Sequence, residues 1–524
     1  MQKANFLNGV DTKTFYPIVS ILGVVVFVGI FFEQLFIDCS KVVVSFCLGQ
    51  FTWFYLPVSG AIIIATYAFA CTPFASRIVG GDKYKKPVVG IYSYLAVIIT
   101  GSIGSGILFW GVAEPLYHYY YPPALFGNAA LSPAAASAAI GFATTHWAYV
   151  FFACIALWSV GIGYMCFDRG LPFKPSSALY PLLKAYTFKW PGRVVDIVCV
   201  VSLIGGIVTS FGFGAMQMAG GVEYVFGIKP NNMVYFWIVV LISAVFTCSS
   251  IRGIKKGITV LADLNGYFYI ALFLFLFIAG PTKFLIGLYV EAVGDMFTNF
   301  IPMMTNVDPF NIDKGWSTNW SALFFVWACV YTPVTSMFFV TISRGRTYRQ
   351  MLLLSLIPPT LWVVVMFVAL GGNAIWLDAF EGAKMMDLLN KVGVPMSVYH
   401  LLERFPLGSL GGITLLFTLL ISFTTMTDNM TFSIASLTSK TVDENEKGAD
   451  IYLRFFWAVV ICALTLICLF VLGNAGTKAL ESMSAACGLP FYVLMVLLII
   501  AITMMLSGKY DAVEYKGNTE TTSN

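Results

Sequence analysis

The stretch GSIGSGILFWGVAEPLYHYYYPP, residues 101–123, interrupts an apolar run that otherwise reads as one membrane-spanning helix. As a straight α-helix, residues 88–117 would be about 45 Å long. Four glycines with interleaved serines, followed by Pro115, favour local unwinding, although glycines can also serve close helix packing. Unwound backbone inside a membrane must line a cavity, because lipid cannot satisfy its polar groups. There it offers N–H groups to anions and carbonyls to cations, an arrangement typical of transporters.

The composition indicates an integral membrane protein. Of 524 residues, 59% are hydrophobic and 11% are charged, and the mean hydropathy is +0.83. About 20 helical residues cross a hydrocarbon core of roughly 30 Å. Twelve apolar runs reach that length, so we predict an all-α protein with twelve transmembrane helices. These segments 1 to 12 lie near residues 15–37, 49–71, 88–117, 137–166, 194–220, 232–250, 258–289, 318–342, 351–371, 407–436, 453–473 and 487–507.

Interrupted helices also predict an internal repeat. Segment 5 contains IGGIVTSFGFGAM (204–216), and segment 8 carries Pro333 near its centre. Because segment 8 follows segment 3 by five helices, we interpret segments 3–7 and 8–12 as two inverted five-helix repeats of the LeuT-like kind, preceded by two extra helices. We predict an N-terminal tail with segments 1 and 2 (residues 1–87) and a first repeat (88–289). An extracellular amphipathic connector (290–317) leads to the second repeat (318–507), and a short cytoplasmic tail (508–524) follows.

The basic residues predict the orientation. With both termini cytoplasmic, 22 of the 30 Lys and Arg residues fall in the cytoplasmic connections, as the positive-inside rule requires. We therefore expect a multi-pass protein of the plasma (inner) membrane. The net charge of +4 reports this topology and does not indicate nucleic-acid binding.

Little in the sequence points to a cofactor or to catalysis. Eleven cysteines are scattered without a CxxC pair, and the three histidines form no cluster in the sequence. Metal-ligand spacing, nucleophile motifs and repeated pore signatures are missing as well, which disfavours an enzyme or a channel. Ionisable residues inside apolar segments are costly and suggest function by default. They are Glu114, His146, Asp196, Asp263 and Asp428, of which Asp196, beside Arg193, is interpreted as structural.

Aromatic residues repeat along one helical face of WSALFFVWACVYTP, residues 320–333. Trp320, Phe324, Trp327 and Tyr331 are spaced by 4, 3 and 4 residues, which places them on one side of a helix. Segments 3 and 4 add Trp110, Tyr117, Trp147, Phe151 and Phe152. Rings converging from three helices would bind a trimethylammonium group by cation–π attraction of about 0.5 to 2 kcal/mol per ring. The alternative is that such abundant aromatics face lipid.

Several motifs, in order along the chain, resemble the betaine/choline/carnitine transporter family. The Trp-rich segment 8 is followed by SRGR (343–346), and LFWGVAEPLYHYYYPP (108–123), HW (146–147), RGLPFKPSSALYPLL (169–183), GFGA (212–215) and GIKKGI (253–258) complete the set. The resemblance covers about residues 15–507. It implies two inverted five-helix repeats, commonly a homotrimer, with alternating access to a quaternary ammonium substrate.

The resemblance also implies the site residues. The cage would consist of Tyr117, Trp147, Trp327 and Tyr331, with Phe152 in place of a second segment 4 ring. The glycine stretch, with Ser102, Gly104 and Gly106, would offer backbone to a substrate carboxylate. Ala328 stands where family members often have another Trp, which leaves betaine, carnitine and choline open as substrates.

Coupling is left open by the same comparison. Sodium-coupled relatives place adjacent Thr and Ser hydroxyls on segment 10, whereas this chain has Thr425 followed by Met426. Thr209, Thr335 and the Ile103 carbonyl complete the candidate ligands for Na⁺, the one ion expected in place of a cofactor. Sodium-free exchangers carry an Arg and a Met where this chain has Thr259 and Thr335. We therefore favour cation-coupled uptake, with exchange, or an amino-acid or amine symporter that relies on an acid such as Glu114, as the alternatives.

Overall fold

The computed structural model describes residues 9–100, 104–251, 254–440, 451–471 and 477–508. In that part of the chain the secondary structure is helical, with two isolated β-bridges, Val10 to Ser439 and Ile78 to Thr347, and no strand. The helices are α1 Thr12–Phe31, α2 Glu33–Val44, α3 Thr52–Ala70, α4 Ile91–Thr100, α5 Gly104–Trp110, α6 Ala113–Tyr120, α7 Pro133–Asp168, α8 Trp190–Phe226, α9 Asn232–Ile251, α10 Ile254–Ala279, α11 Thr282–Thr298, α12 Phe300–Thr305, α13 Thr318–Cys329, α14 Thr332–Ile342, α15 Tyr348–Glu381, α16 Met385–Val392, α17 Val394–Leu402, α18 Gly408–Leu437, α19 Ile451–Phe470 and α20 Lys478–Leu506.

The predicted multi-pass character is confirmed, whereas the count of twelve spans remains a prediction. Within the described residues, 8 helices are long and apolar enough to cross a membrane, or 10 if each of two bent pairs forms one span. Segments 3 and 6 account for the difference. In segment 3, residues 101–103 are outside the described part of the chain and a break separates α5 from α6, and in segment 6 the described apolar stretch Asn232–Val245 is shorter than a full span.

The helix α7 lies at the centre of the bundle. Of its most apolar window, 94% is buried within the protein, compared with 22% for α1. A helix that is apolar all round and covered on every side belongs to a core and does not face lipid. Because α7 carries His146 and Trp147, this burial places both residues deep inside the bundle.

Two of the three predicted interruptions lie where the sequence puts them. Segment 8 bends by 51° between α13 and α14, where Pro333 occupies the first turn of the new helix. In segment 3, the described residues show a break at residues 111–112, between α5 and α6. Residues 101–103 lie outside the described part of the chain, so the unwinding predicted there stays a prediction.

The expectation of a break in segment 5 is wrong. The helix α8 runs without interruption from Trp190 to Phe226. Its glycines allow neighbouring helices to approach instead: a Cβ on Gly205 would lie 2.2 Å from the Met483 carbonyl oxygen, and one on Gly214 would lie 1.8 Å from the Phe423 ring. These are small-residue packing sites of the kind that membrane helices use.

Segment 7 is shorter than predicted. Its helix α10 ends at Ala279, and α11 leaves at an angle of 114° after Gly280 and Pro281. Proline restricts the residue before it to non-helical conformations, which explains why the apolar pattern does not continue as one helix to residue 289. The predicted division between residues 289 and 290 consequently falls within α11.

The SRGR motif after α14 closes one end of the bundle. Arg346 donates a hydrogen bond to the Val89 carbonyl oxygen at 2.7 Å, and its guanidinium lies 4.1 Å from the Tyr94 ring centroid. Gly345 has a φ of +82°, and a Cβ there would lie 2.2 Å from the Lys86 carbonyl oxygen. The motif therefore joins the loop after α14 to the loop before α4.

We predict that Gly205→Ala lowers stability by about 1–3 kcal/mol, the usual cost of overpacking, because the added methyl meets backbone that cannot turn aside. Gly287→Ala on α11 is the matched control, since nothing lies within 4 Å of its added Cβ. The measurement is the midpoint of thermal unfolding in detergent. Equal midpoints for the two variants would contradict the close approach of α8 and α20.

Candidate functional site

A cavity lies among α5, α7, α8, α13, α14 and α18, near the bend in segment 8. Its empty space, including the open mouth, is about 410 Å³. The ten lining residues that the structure describes include no Asp, Glu, Lys or Arg. They are Gly106, His146, Trp147, Phe151, Ser210, Phe324, Trp327, Ala328, Tyr331 and Met426.

Three aromatic rings form the centre of this lining, and we call Trp147, Phe324 and Trp327 the ring cluster. Trp147 and Trp327 are 5.2 Å apart between centroids, with their planes at 69°. Phe324 lies 5.1 Å from Trp147 and 5.9 Å from Trp327. Rings that meet at such angles expose several electron-rich faces to one volume. The predicted convergence of segments 4 and 8 is thus present in the structure.

Tyr331 borders the cavity at the bend between α13 and α14. Its hydroxyl donates to the Gly206 carbonyl oxygen at 2.5 Å and lies 2.5 Å from the Ser210 hydroxyl oxygen. A Cβ on Gly206 would lie 2.9 Å from the Tyr331 ring, so only glycine permits this contact. The two bonds fix the bend of segment 8 against α8.

A buried polar cluster next to the ring cluster consists of Glu114, His118 and His146, and we call it the acid–histidine cluster. The indole N–H of Trp147 donates to Glu114 Oε2 at 2.7 Å, and His146 Nδ1 lies 2.6 Å from Glu114 Oε1. His146 Nε2 lies 2.9 Å from the Ser321 hydroxyl oxygen on α13. All three members of the cluster are at most 1% exposed. Buried carboxylates require such donors, and here the donors include a cavity wall.

Irregular helical turns present these side chains. Residues Thr145–Tyr149 form a π-helical turn that carries His146 and Trp147, and Thr318–Ala322 form another that carries Trp320 and Ser321. A π-turn adds one residue and rotates the side chains that follow, and such turns occur frequently at functional sites. From this turn, His146 reaches both Glu114 and Ser321.

The other predicted substrate residues lie in different places. Tyr117 is outside the cavity lining, and its ring lies 5.6 Å from Trp320. Phe152 is fully buried against Phe151, and Phe151 is the residue that lines the cavity. Gly106 lies against Trp147, since an added Cβ would come within 2.3 Å of its ring. Ser102 is outside the described residues, and Gly104 is described only as the start of α5.

The hydroxyl groups predicted to hold an ion each bond to backbone. Thr209 donates to the carbonyl oxygens of Gly205 and Leu480, at 3.0 and 2.7 Å. Thr335 donates to Tyr331 at 2.8 Å and Thr425 to Ile421 at 2.9 Å, in each case one turn earlier in the same helix. The Ile103 carbonyl lies outside the described residues. The ion site stays a prediction, and so do the candidate acids Asp263 and Asp428, whose side chains are not described.

The acid–histidine cluster is the feature that sequence reasoning missed. Its three candidate ligand atoms lie within 4.8 Å of one another. His118 and His146 are far apart in sequence, so the expectation of no histidine cluster is wrong in space. A tetrahedral Zn²⁺ with ligands at about 2.0–2.1 Å would hold them roughly 3.3 Å apart. The 2.6 Å between His146 Nδ1 and Glu114 Oε1 is instead a hydrogen-bond distance. The spacing of Glu114 and His118, i and i+4 on one helix, is the signal that was available.

The interpretation of Asp196 as structural agrees with its contacts. Its carboxylate accepts hydrogen bonds from the Ser176 backbone N–H at 2.9 Å and from the Ser176 hydroxyl at 3.0 Å. These bonds hold the turn Pro175–Leu179 against the start of α8. The partner is Ser176, whereas the sequence had suggested Arg193.

Apolar helices that enclose a ring-lined cavity define this protein as a multi-pass membrane transport protein. The model of the family "BCCT, betaine/carnitine/choline family transporter" matches residues 13–511. The chain therefore belongs to this family, which confirms the resemblance seen in the sequence motifs. Its members are transporters and not enzymes.

Relatives match over most of the chain. It is 27% identical over 502 residues to a "Probable glycine betaine transporter" of Desulfitobacterium hafniense, covering 95% of this chain and 98% of the relative. It is 26% identical over 497 residues to an "Ectoine/hydroxyectoine transporter" of Virgibacillus pantothenticus, covering 95% and 97%. It is 30% identical over 441 residues to a "High-affinity choline transport protein" of Escherichia coli, covering 84% and 64%.

We predict that Tyr331→Phe destabilises the protein by about 0.5–1.5 kcal/mol, because the hydrogen bonds of its hydroxyl to Gly206 and Ser210 are lost. The control is Tyr267→Phe, since Tyr267 is 60% exposed. The thermal midpoint in detergent should fall for the first variant only. A Tyr331→Phe midpoint equal to that of wild type would mean that the hydroxyl does not fix the bend.

Proposed function

We propose that this protein is a secondary transporter that takes up a quaternary ammonium compound, such as glycine betaine, carnitine or choline, by alternating access. The single observation that carries the proposal is the ring cluster: Trp147 from α7 meets Phe324 and Trp327 from α13 at one cavity. Family membership and the names of the relatives agree with it.

The chemistry of the lining suits a cation without N–H groups. A trimethylammonium head cannot donate to a carbonyl or carboxylate, so its recognition depends on ring faces and on apolar contact with its methyl groups. Met426 and Ala328 supply such contact beside the rings. The described lining contains no carboxylate, and a site for a primary amine would need one or a comparable acceptor. This favours the quaternary ammonium class over an amino-acid or amine symporter.

The transport cycle follows from the bends. Segments 3 and 8 would be the first helices of two inverted five-helix repeats within a twelve-helix protein, and both are interrupted next to the cavity. One group of helices would then rock against the rest, exposing the cavity to each side in turn. Cytoplasmic termini, the inner membrane and a homotrimer are part of this proposal through the positive-inside count and the family resemblance.

Substrate identity depends on what the protein offers to the end of the ligand opposite its trimethylammonium head. The glycine stretch with Ser102, Gly104 and Gly106 would offer backbone N–H groups to the carboxylate of betaine or carnitine, whereas choline has only a hydroxyl there. Ectoine, which the Virgibacillus relative is named for, is the comparison ligand because it lacks a trimethylammonium head. We propose glycine betaine, carnitine and choline as better substrates than ectoine.

For coupling, we propose Na⁺ as the driving ion, with Thr425, Thr209, Thr335 and the Ile103 carbonyl as candidate ligands. The alternative is ion-independent exchange of substrate for product. Each Thr oxygen already bonds to a helix carbonyl as a donor, and its remaining lone pairs are the ones a hard cation would use.

The ring cluster predicts the effect of Trp327→Ala. Loss of this ring should weaken binding of glycine betaine, carnitine and choline at least tenfold, because one full face of the proposed cage disappears. Binding is measured by calorimetry in detergent, and Trp237→Ala, whose ring is 60% exposed, is the control. Retained affinity for all three ligands would exclude the cage. Binding of amino acids or ectoine alone would support the other substrate classes.

Coupling predicts an ion effect on the same titration. Na⁺ at about 100 mM should tighten substrate binding severalfold relative to K⁺, since coupled ligands raise each other's affinity. Thr425→Val should remove this difference and leave binding in K⁺ unchanged. Identical affinities in Na⁺ and K⁺, together with counterflow in liposomes without Na⁺, would assign the protein to the exchangers instead.

A further inference from the structure

The hydrogen bonds of the acid–histidine cluster fix where its protons are. An indole N–H can only donate, so Glu114 Oε2 is an acceptor for Trp147. The N–H of Trp316 likewise donates to His118 Nδ1 at 3.2 Å. His118 Nδ1 therefore carries no proton, and the neutral ring holds its proton on Nε2, 3.4 Å from Glu114 Oε1. Trp316 thus keeps His118 neutral in this conformation.

His146 differs from His118 because its second nitrogen faces a hydroxyl group. His146 Nδ1 shares a proton with Glu114 Oε1 across 2.6 Å, and His146 Nε2 lies 2.9 Å from the Ser321 oxygen. A hydroxyl can donate or accept. When His146 is neutral, Ser321 donates to Nε2. When Nε2 takes up a proton, Ser321 turns and accepts from it, so that no hydrogen bond is lost.

We propose that Glu114, His118 and His146 form a proton-binding site next to the ring cluster, with His146 Nε2 as the proton acceptor. The net charge of these three residues sets the affinity of the cavity for a ligand with a net positive charge. This inference rests on the proposed function of the ring cluster as a quaternary ammonium site. The cluster carries a charge of −1 with both rings neutral, and 0 after one proton binds. His146 and Trp147 both line the cavity, so this charge acts on a bound ligand across one ring.

Other titratable groups lie on the elements packed against the cluster. Within the described residues, the salt bridges of Glu114 are to His118 and His146. The elements packed against α6 and the His146 turn contribute further titratable groups, namely Asp378, Glu381, Asp387, Lys391, Tyr348 and Arg349, and the segment before α13 contributes Asp313 and Lys314. Asp378 binds the Tyr120 hydroxyl, Arg349 binds the Ala70 carbonyl, and Asp313 binds the Ala124 N–H.

The histidine count makes the proposal testable. The chain has three histidines, and the third, His400, pairs with Glu403 on α17, away from the cavity. His146→Gln keeps a hydrogen-bonding side chain between Glu114 and Ser321 but cannot take up a proton. His400→Gln is the matched control for the loss of a titratable ring.

The experiment is calorimetric titration of the full-length protein in detergent with choline, a cation, and glycine betaine, a zwitterion, from about pH 5.5 to 8.5. A neutralised cluster attracts a cation less, so choline affinity should be roughly tenfold lower at pH 5.5 than at pH 8.5. Glycine betaine, with no net charge, should change less than about threefold. By linkage, choline binding should release protons wherever its affinity changes with pH, visible as a dependence of the heat on buffer ionisation.

The variants separate the possible outcomes. His146→Gln should bind choline with an affinity independent of pH, whereas His400→Gln should follow wild type. Should His146→Gln fail to fold, proton release by the wild-type protein still decides the question. Choline binding without pH dependence or proton release would overturn the proposal, as would a pH response that disappears with a chelator, which would assign the cluster to a metal. Failure of both ligands to bind at any pH would instead contradict the proposed function.

Discussion

A carboxylate buried in the middle of a membrane protein must have its lone pairs matched by donors, and in this molecule that constraint organises the candidate site. Glu114 on α6 takes donors from Trp147 and His146 on α7, and His146 in turn reaches Ser321 on α13. These hydrogen bonds tie the three helices to one another around the Glu114 carboxylate. The ring cluster lies where those helices meet, so the geometry of the cavity follows from the hydrogen bonds behind it.

The helices that border the cavity use two different devices to approach one another. Segment 8 bends at Pro333, and the hydroxyl of Tyr331 fastens the bend to α8 through the Gly206 carbonyl. The helix α8 stays straight and uses glycine to admit neighbouring atoms, such as the Met483 carbonyl against Gly205. The angle of the bent segment 8 can change while the straight helix α8 stays in place. This would suit the alternating access proposed for this protein.

The sequence predicts those features of the structure that depend on neighbouring residues better than those that depend on residues far apart in the chain. Hydropathy and proline are local signals, and they correctly indicated the apolar helices and the bend at Pro333. Glycine is ambiguous, because the same residue serves unwinding and close packing, and only the neighbour across the interface decides between them. Gly205 illustrates this, since Met483 lies far away in the sequence. Segment 7 was extended too far because hydrophobicity continues past Gly280 and Pro281 while the helix does not.

The candidate site also depends on contacts between residues that are far apart in the sequence. Aromatic spacing places Trp320, Phe324, Trp327 and Tyr331 on one helical face, and the family resemblance implied that Trp147 and Trp327 belong to one cage. The roles of Phe151, Phe324 and Met426 in the lining depend on rotation about each helix axis, and the π-turn at residues 145–149 changes that rotation by one residue. No periodicity reports such a turn. The pairing of Glu114 with His146 depends on it as well, so the electrostatics of the cavity required the fold itself.

The separation of rings from charge has a consequence for selectivity. The described lining presents aromatic faces and apolar groups to the ligand, and the Glu114 carboxylate is outside this lining and accepts a hydrogen bond from the Trp147 indole N–H. A carboxylate in direct contact would favour small, strongly hydrated cations and amines that donate hydrogen bonds. Placed outside the lining, the same charge adds long-range attraction and leaves short-range recognition to the ring faces, which favour a large, weakly hydrated ammonium group. Under the proposed function, the ring faces would select for methylated ammonium groups and the Glu114 charge for a net positive charge, by two interactions that depend on different residues.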